Sequence, residues 1–310
     1  MRLMTVLSGL AAAMMATLTA GAAAAQDLSR GLEVVGTPKD AGIDFQFAAT
    51  ELARDLQQLD WLILVIITAI TLLVVVLLLW AIVRYNRRAN PIPSRFTHNS
   101  TIEVAWTVIP ILVLVFIGAF SLPVLFKQVE IPEADITIKT TGYQWYWGYE
   151  YVDHDFGFDS YMIGHPATLF GEGDEDVTPF VLDAAMEAKL ERHGYSRSDF
   201  LLATDTAMVV PVGKTVVVQI TGADVIHSWT IPAFGVKMDA VPGRIAEIWF
   251  NAEREGIYYG QCSELCGKDH AYMPITVQVV SEAEYEAWLD EAIEQYAGTP
   301  RAGAALAMAD

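Results

Sequence analysis

Two cysteines occur in the 310 residues of this chain, and they stand four apart in Cys262-Ser-Glu-Leu-Cys266-Gly-Lys-Asp-His270-Ala-Tyr-Met273. A histidine follows the second cysteine by four residues, and a methionine follows that histidine by three. Upstream, Asp224-Val-Ile-His227-Ser-Trp229 offers one more imidazole. Two thiolates, two imidazoles and a thioether make a soft donor set that suits copper and not magnesium or calcium. A centre of that kind moves electrons rather than hydrolysing bonds. The cysteines alone favour a Cys-x3-Cys disulfide, since two cysteines in an oxidising compartment usually pair; it is His227, His270 and Met273 at these spacings that turn the reading to a metal.

The motif needs stiff neighbours, and the flanking sequence supplies them. Gly256–Gln261 and Ile275–Val280 read as strands, so the donor loop is anchored at both ends. Ile136 to Thr140 leads into a run in which Tyr143, Trp145, Trp147, Tyr149 and Tyr151 alternate at period two, which places them on one face of a strand. Met208–Val212 and Thr215–Ile220 flank Gly213-Lys214, a hairpin signal, and Arg244–Asn251 reads as a further strand. Many short strands at close spacing imply a sandwich or barrel. Ser281 and Glu284 form a capping box, and Tyr285, Trp288, Leu289, Ala292, Ile293 and Tyr296 make one apolar stripe of a final helix. Residues 152–200 fit the strand pattern poorly and read as an insertion, with an acidic stretch at 171–176 and a helix-like Phe180 to His193.

Composition divides the chain. It is 53% hydrophobic, with a mean hydropathy of +0.34, yet carries a formal charge of -19. Residues 1–25 read as a secretory signal peptide, with Arg2 ahead of an apolar stretch and Ala22 to Ala25 as a small-residue cleavage site; residues 26–60 follow as an exported N-terminal segment. Trp61 to Val83 and Val104 to Phe126 are free of charge and, at about 1.5 Å per residue, each is about 35 Å long as a helix, enough to span a bilayer. The connecting stretch 84–103 carries Arg84, Arg87, Arg88 and Arg95, which puts it in the cytoplasm and both outer ends in the periplasm. From Gln128 onward there are thirty acidic and ten basic residues, a surface that attracts a basic partner and offers nothing to nucleic acid. Residues 127–297 then form the periplasmic domain, and 298–310 a tail.

Taken together, the two spans after a signal peptide, Tyr143-Gln-Trp145-Tyr-Trp147, Asp224-Val-Ile-His227-Ser-Trp229, Pro242-Gly-Arg244 and the Cys262-to-Met273 motif resemble subunit II of haem–copper cytochrome c oxidases of the alphaproteobacterial type. The resemblance covers nearly all of the chain beyond the signal peptide. It implies an all-β cupredoxin-like Greek-key barrel preceded by a two-helix transmembrane hairpin. It implies a binuclear CuA centre in which Cys262 and Cys266 bridge both coppers, His227 and Met273 ligate one, and His270 and the Glu264 backbone carbonyl ligate the other. The Glu264 side chain would help to hold magnesium against subunit I, although one carboxylate is not a site. The implied donor is cytochrome c, because quinol-oxidising relatives lack the cysteines.

Three further roles come with the resemblance, each beside a plainer reading. Trp145 would be the tryptophan through which electrons arrive, whereas period-two alternation makes it strand core. Glu150, Asp159 and Asp224 would dock the basic face of cytochrome c, though each is also an ordinary surface acid. Glu103 would admit protons to a channel of subunit I, and Ser100-Thr-Ile-Glu103 is also a capping box. Two rival classes share part of the donor set. A membrane-tethered copper chaperone or thiol reductase has one span and alternating strands and helices, unlike this chain. Nitrous oxide reductase carries a larger, His-rich domain, and only six histidines occur here.

Overall fold

The computed structural model describes residues 29–171 and 173–297. The expected signal peptide and the tail from residue 298 lie outside the described residues. A short strand, β1 (Val34–Gly36), precedes two long helices, α1 (Glu51–Arg84) and α2 (Ser100–Val129). Both helices are longer than their apolar runs. The first turn of α1 belongs to the soluble domain: Leu52 and Ala53 are buried, and the Thr50 hydroxyl accepts from the Ala53 amide at 3.0 Å while donating to the Phe234 carbonyl at 2.7 Å. Lys127 near the end of α2 reaches Asp55 at 2.6 Å and also pairs with Glu51, which ties the two helices together where they leave the bilayer. No part of either apolar stretch is buried within the chain, as expected of surfaces that meet lipid or other subunits. The cap of α2 is Asn99 rather than Ser100. The Asn99 side chain accepts from the Ile102 amide, and Glu103 reaches back to the Asn99 amide. The cap therefore sits one residue upstream of Ser100, with Glu103 four rather than three residues after it, because an Asn side chain caps as well as Ser.

The remaining strands are β2 (Ile136–Tyr143), β3 (Tyr146–Tyr151), β4 (Phe156–Ser160), β5 (Met208–Pro211), β6 (Thr215–Gly222), β7 (His227–Ile231), β8 (Val236–Ala240), β9 (Ala246–Asn251), β10 (Gly256–Gln261) and β11 (Pro274–Val280). One sheet runs β4-β3-β2-β6-β9, another β1-β10-β11-β5, and β7 pairs with β8. Their inner faces enclose one core that includes Trp147, Tyr149, Tyr151, Val218, Trp229, Phe250, Tyr258 and Val277, closed by the final helix. This is the cupredoxin-like barrel that the resemblance implied. Short helices α3 (Ala184–Arg192) and α4 (Glu282–Tyr296) complete the described chain, and the Ser281–Glu284 capping box is present.

Four readings of the sequence change here. The aromatic run is not one strand: the chain turns at Gln144-Trp145, so β2 and β3 pair antiparallel with Tyr143 opposite Tyr146. Only Trp147, Tyr149 and Tyr151 share the buried face, and Trp145 sits in the turn. Gly213-Lys214 does not join a hairpin. The strands before and after it, β5 and β6, belong to different sheets, so the turn crosses the sandwich. The stretch 156–160, placed in the insertion by its sequence, is strand β4, paired with β3. The insertion proper leaves and rejoins at one point, where Met162 bridges Thr204. Finally, the β7–β8 hairpin that begins at His227 gave no strand signal, because His227, Ser228, Trp229 and Ile231 are all buried and show no alternation.

Candidate metal centre

The donor loop spans the end of β10 to the start of β11, and β7 brings His227 against it. Cys262 and Cys266 are unbonded, with their sulfurs 3.8 Å apart. His227 Nδ1 stands 3.9 Å from Cys262 Sγ, and the Glu264 carbonyl 3.3 Å from the same sulfur. His270 Nδ1 and Met273 Sδ each lie 3.5 Å from Cys266 Sγ. His227, Cys262, Cys266 and Met273 are buried and His270 half-buried. The structure thus gathers all five soft donors and one carbonyl around the two sulfurs, His227 and the carbonyl beside Cys262, and His270 and Met273 beside Cys266. A metal at a thiolate bond length of about 2.3 Å from both sulfurs would subtend an angle of about 110°, close to tetrahedral. The donor set and this spacing fit copper bridged by two thiolates.

Local structure explains the precision. His227 opens β7 with its Nε2 2.8 Å from an Asp224 carboxylate oxygen, which leaves Nδ1 for the site. Asp224 also accepts from the Gln144 amide at 2.8 Å, so the same carboxylate braces the β2–β3 turn. Gly142 in β2 lies beneath the imidazole: a Cβ there would come within 2.9 Å of the His227 ring. Trp147 meets His227 edge-on at 6.0 Å, and its Nε1 donates to the Met273 carbonyl at 3.3 Å. The Ser263 amide donates to the Ser228 carbonyl at 3.0 Å, pinning the loop to β7.

The electrostatics favour one thiolate. Burial opposes ionisation of Cys262, but hydrogen bonding with His227 and nearby backbone overcomes it and brings the thiol down to about 7. Burial and the charge of Cys262 push Cys266 up to about 12. Burial works against a charged His227, yet Cys262 and Asp224 raise its pKa above the ordinary value. A bound cation would replace the missing protons and hold both sulfurs as thiolates.

The other predicted residues scatter around this centre. Trp145 is half-buried on the donor loop. Its Nε1 donates to the Cys266 carbonyl at 3.3 Å, and the Lys268 ammonium lies 4.6 Å from the ring centroid. Gln144, which the sequence reading passed over, donates to the same carbonyl at 2.9 Å. The Glu264 side chain is exposed on the outside of the loop. Glu150 pairs with Lys139 at 3.3 Å, and Asp159 is exposed on neighbouring β4. In the β3–β4 register, Glu150 faces Gly157 and Gly148 faces Asp159, so both acids lie on one outer face. Asp224 is partly exposed and is already engaged with His227. Glu103 lies at the first turn of α2, at the opposite end of that helix from the β-domain.

Comparison with known proteins decides what this arrangement is. Residues 136–280 match the family described as cytochrome C oxidase subunit II, periplasmic domain, and residues 38–124 match cytochrome C oxidase subunit II, transmembrane domain. The chain belongs to the cytochrome c oxidase subunit II family. It is 61% identical over 292 residues to cytochrome c oxidase subunit 2 of Cereibacter sphaeroides, covering 94% of this chain and 93% of that one. It is 43% identical over 246 residues to the probable cytochrome c oxidase subunit 2 of Rickettsia bellii, covering 79% and 82%. A crystal structure of the periplasmic domain of subunit II of the Bradyrhizobium japonicum oxidase is 46% identical, covers 54% of this chain and 100% of that chain, and superposes with a TM-score of 0.42. As a member of this family, the chain is one subunit of a haem–copper oxidase. Two helices hold it in the bacterial inner membrane, and its copper domain lies in the periplasm.

Proposed function

We propose that this chain accepts electrons one at a time from cytochrome c and passes them to haem a of subunit I, where oxygen is reduced to water and protons are pumped. The observation that carries the reading is the convergence of two unbonded cysteines, two imidazoles and a thioether on a loop held between strands. Cys262 and Cys266 would bridge two coppers, His227 and Met273 serve one, and His270 and the Glu264 carbonyl serve the other. Bound copper supplies the reversible one-electron change. The protein's part is to keep donors still, and buried strands, the Asp224–His227 contact and Trp147 do that. Trp145 donates to a carbonyl of Cys266 itself, which favours it as the ring through which electrons arrive. Glu150, Asp159 and Asp224 would meet the basic face of cytochrome c. The exposed Glu264 carboxylate would reach a magnesium ion shared with subunit I, and Glu103 would collect protons at the cytoplasmic surface.

The proposed organisation is a cleaved signal peptide over 1–25, a periplasmic segment over 26–60, a hairpin over 61–126 with spans 61–83 and 104–126, the copper domain over 127–297, and the tail 298–310. Electron paramagnetic resonance of the purified oxidase tests the central claim. One unpaired electron split by two copper nuclei is expected. A pattern from a single copper, or a Cys262–Cys266 disulfide without copper, would overturn the reading.

A further inference from the structure

The insertion has no part in the donor set, yet it touches the donor loop. Phe180, in the stretch before α3, stacks on Tyr272 with ring centroids 4.3 Å apart and planes 20° from parallel. Tyr272 closes the single turn His270–Tyr272, so it stands between two candidate ligands, His270 and Met273. Phe180 is also one link in a row of rings. Tyr143 stacks on Tyr146 at 4.7 Å, Tyr146 on Tyr161 at 4.4 Å, Tyr161 meets His165 at 5.3 Å, and His165 meets Phe180 at 5.7 Å. The row runs from the β2–β3 turn, which holds the Cys266 carbonyl through Gln144 and Trp145, to the far side of the same loop.

The insertion has a rigid base for this reach. Its own core, with Ile163, Met186 and Leu190, packs on Ile257 and Tyr259 of β10. The Tyr259 hydroxyl donates to buried Asp199 at 3.0 Å, and Thr276 of β11 donates to the Leu202 carbonyl at 3.2 Å. It therefore grips both strands that carry the donor loop. Phe180 itself has φ +62°, a left-handed backbone that is uncommon for a bulky side chain and persists only where the surroundings dictate it. Its amide donates to the Gly164 carbonyl at 3.3 Å, which fixes the turn that aims the ring.

We infer that the insertion is a clamp on the donor loop, and that Phe180 is a positioning residue that sets His270 and Met273 through Tyr272. The inference rests on the copper reading of the site. The stack holds the turn in one orientation, so the imidazole before it and the thioether after it keep one geometry as an electron arrives and leaves. Without the ring, the turn is free to tilt, and both donors move with it.

The test uses the assembled oxidase with Phe180→Leu, which keeps the apolar bulk but removes the stack, and Phe180→Tyr, which restores it. In Phe180→Leu, copper passes to an added chelator about twofold to tenfold faster, the range an aromatic pair confers, with a shifted midpoint potential and altered copper hyperfine splitting. Phe180→Tyr returns all three to the parent values. Tyr272→Leu reproduces the Phe180→Leu change, and the double variant is no worse than either single one. Unchanged potential, spectrum and copper retention in Phe180→Leu would overturn the clamp while leaving the copper reading intact. So would a Phe180→Tyr oxidase as disturbed as Phe180→Leu. If Phe180→Leu fails to assemble, Phe180→Met is read by the same criteria. A parent oxidase without a two-copper signal would instead remove the reading on which the clamp rests.

Discussion

Asp224 shows how one carboxylate serves the centre. It was expected to dock cytochrome c, and the structure places it 2.8 Å from His227 Nε2, where it orients the imidazole. Removing an outer partner of this kind costs roughly 10-fold to 100-fold in metal affinity. Asp224→Ala should therefore lose copper to a chelator faster by about that factor; if only the salt dependence of donor association changed, its role would be docking alone. Gly142 makes a second test. A methyl group at this position meets the His227 ring at 2.9 Å, so Gly142→Ala should displace the imidazole and lower the copper content of the purified oxidase. At this scale the candidate ligands were legible in the sequence because five of the six lie within twelve consecutive residues. The supporting residues were not. Gln144 and Gly142 act across the fold, and nothing in their immediate neighbours announces a partner more than eighty positions away.

The elements repeat that division between local and distant information. The final helix was legible because its cap and its apolar stripe are both local patterns. Gly213-Lys214 was misread because a tight turn looks the same in sequence whether its strands pair or part to opposite sheets. The strand-core alternative for Trp145 failed because period two runs on through a turn that contains neither glycine nor proline. In the insertion, buried Lys189 donates to Asp174 at 2.7 Å, and Arg192 completes the group at 2.7 Å. Lys189→Met leaves the buried Asp174 carboxylate with Arg192 alone, so the loss of one charged hydrogen bond should destabilise the domain by about 1.5–3 kcal/mol, with proteolysis beginning in the insertion. Asp205, where the insertion rejoins the sheet, gives a pH signature. Burial pushes its carboxyl up to about 6 even though it accepts from the Tyr161 amide and Thr206. A folded value above the unfolded one means that its contribution to stability is complete at low pH and lost as pH rises through about 6. Asp205→Asn should raise the melting temperature at about pH 8 and change it little at about pH 4. Equal shifts at both would show that the carboxyl is solvated.

At the scale of the whole molecule, charge and membrane topology work together. The helices fix the domain at the periplasmic surface, and the thirty acidic against ten basic residues from Gln128 onward give it a field that draws in a basic donor. Lys268 is a cation that opposes that field beside Trp145, the proposed point of electron entry. Lys268 sits over the Trp145 ring at 4.6 Å, and its side chain is 73% exposed. It also pairs with Asp269, which cancels part of its charge at a distance but not at contact. Replacing it by a neutral side chain should deepen the field locally. Lys268→Gln should therefore speed association with cytochrome c roughly twofold to fivefold at low ionic strength, since a single charge near contact in water is worth about 1 kcal/mol before screening. The gain should vanish as salt shortens the screening length to a few ångströms. Stopped-flow reduction of the oxidase across a salt series measures this. A lower electron-transfer rate at saturating donor, with association unchanged, would mean instead that the ammonium holds the indole in place. The cation–π contact would then be a part of the electron path rather than a brake on docking.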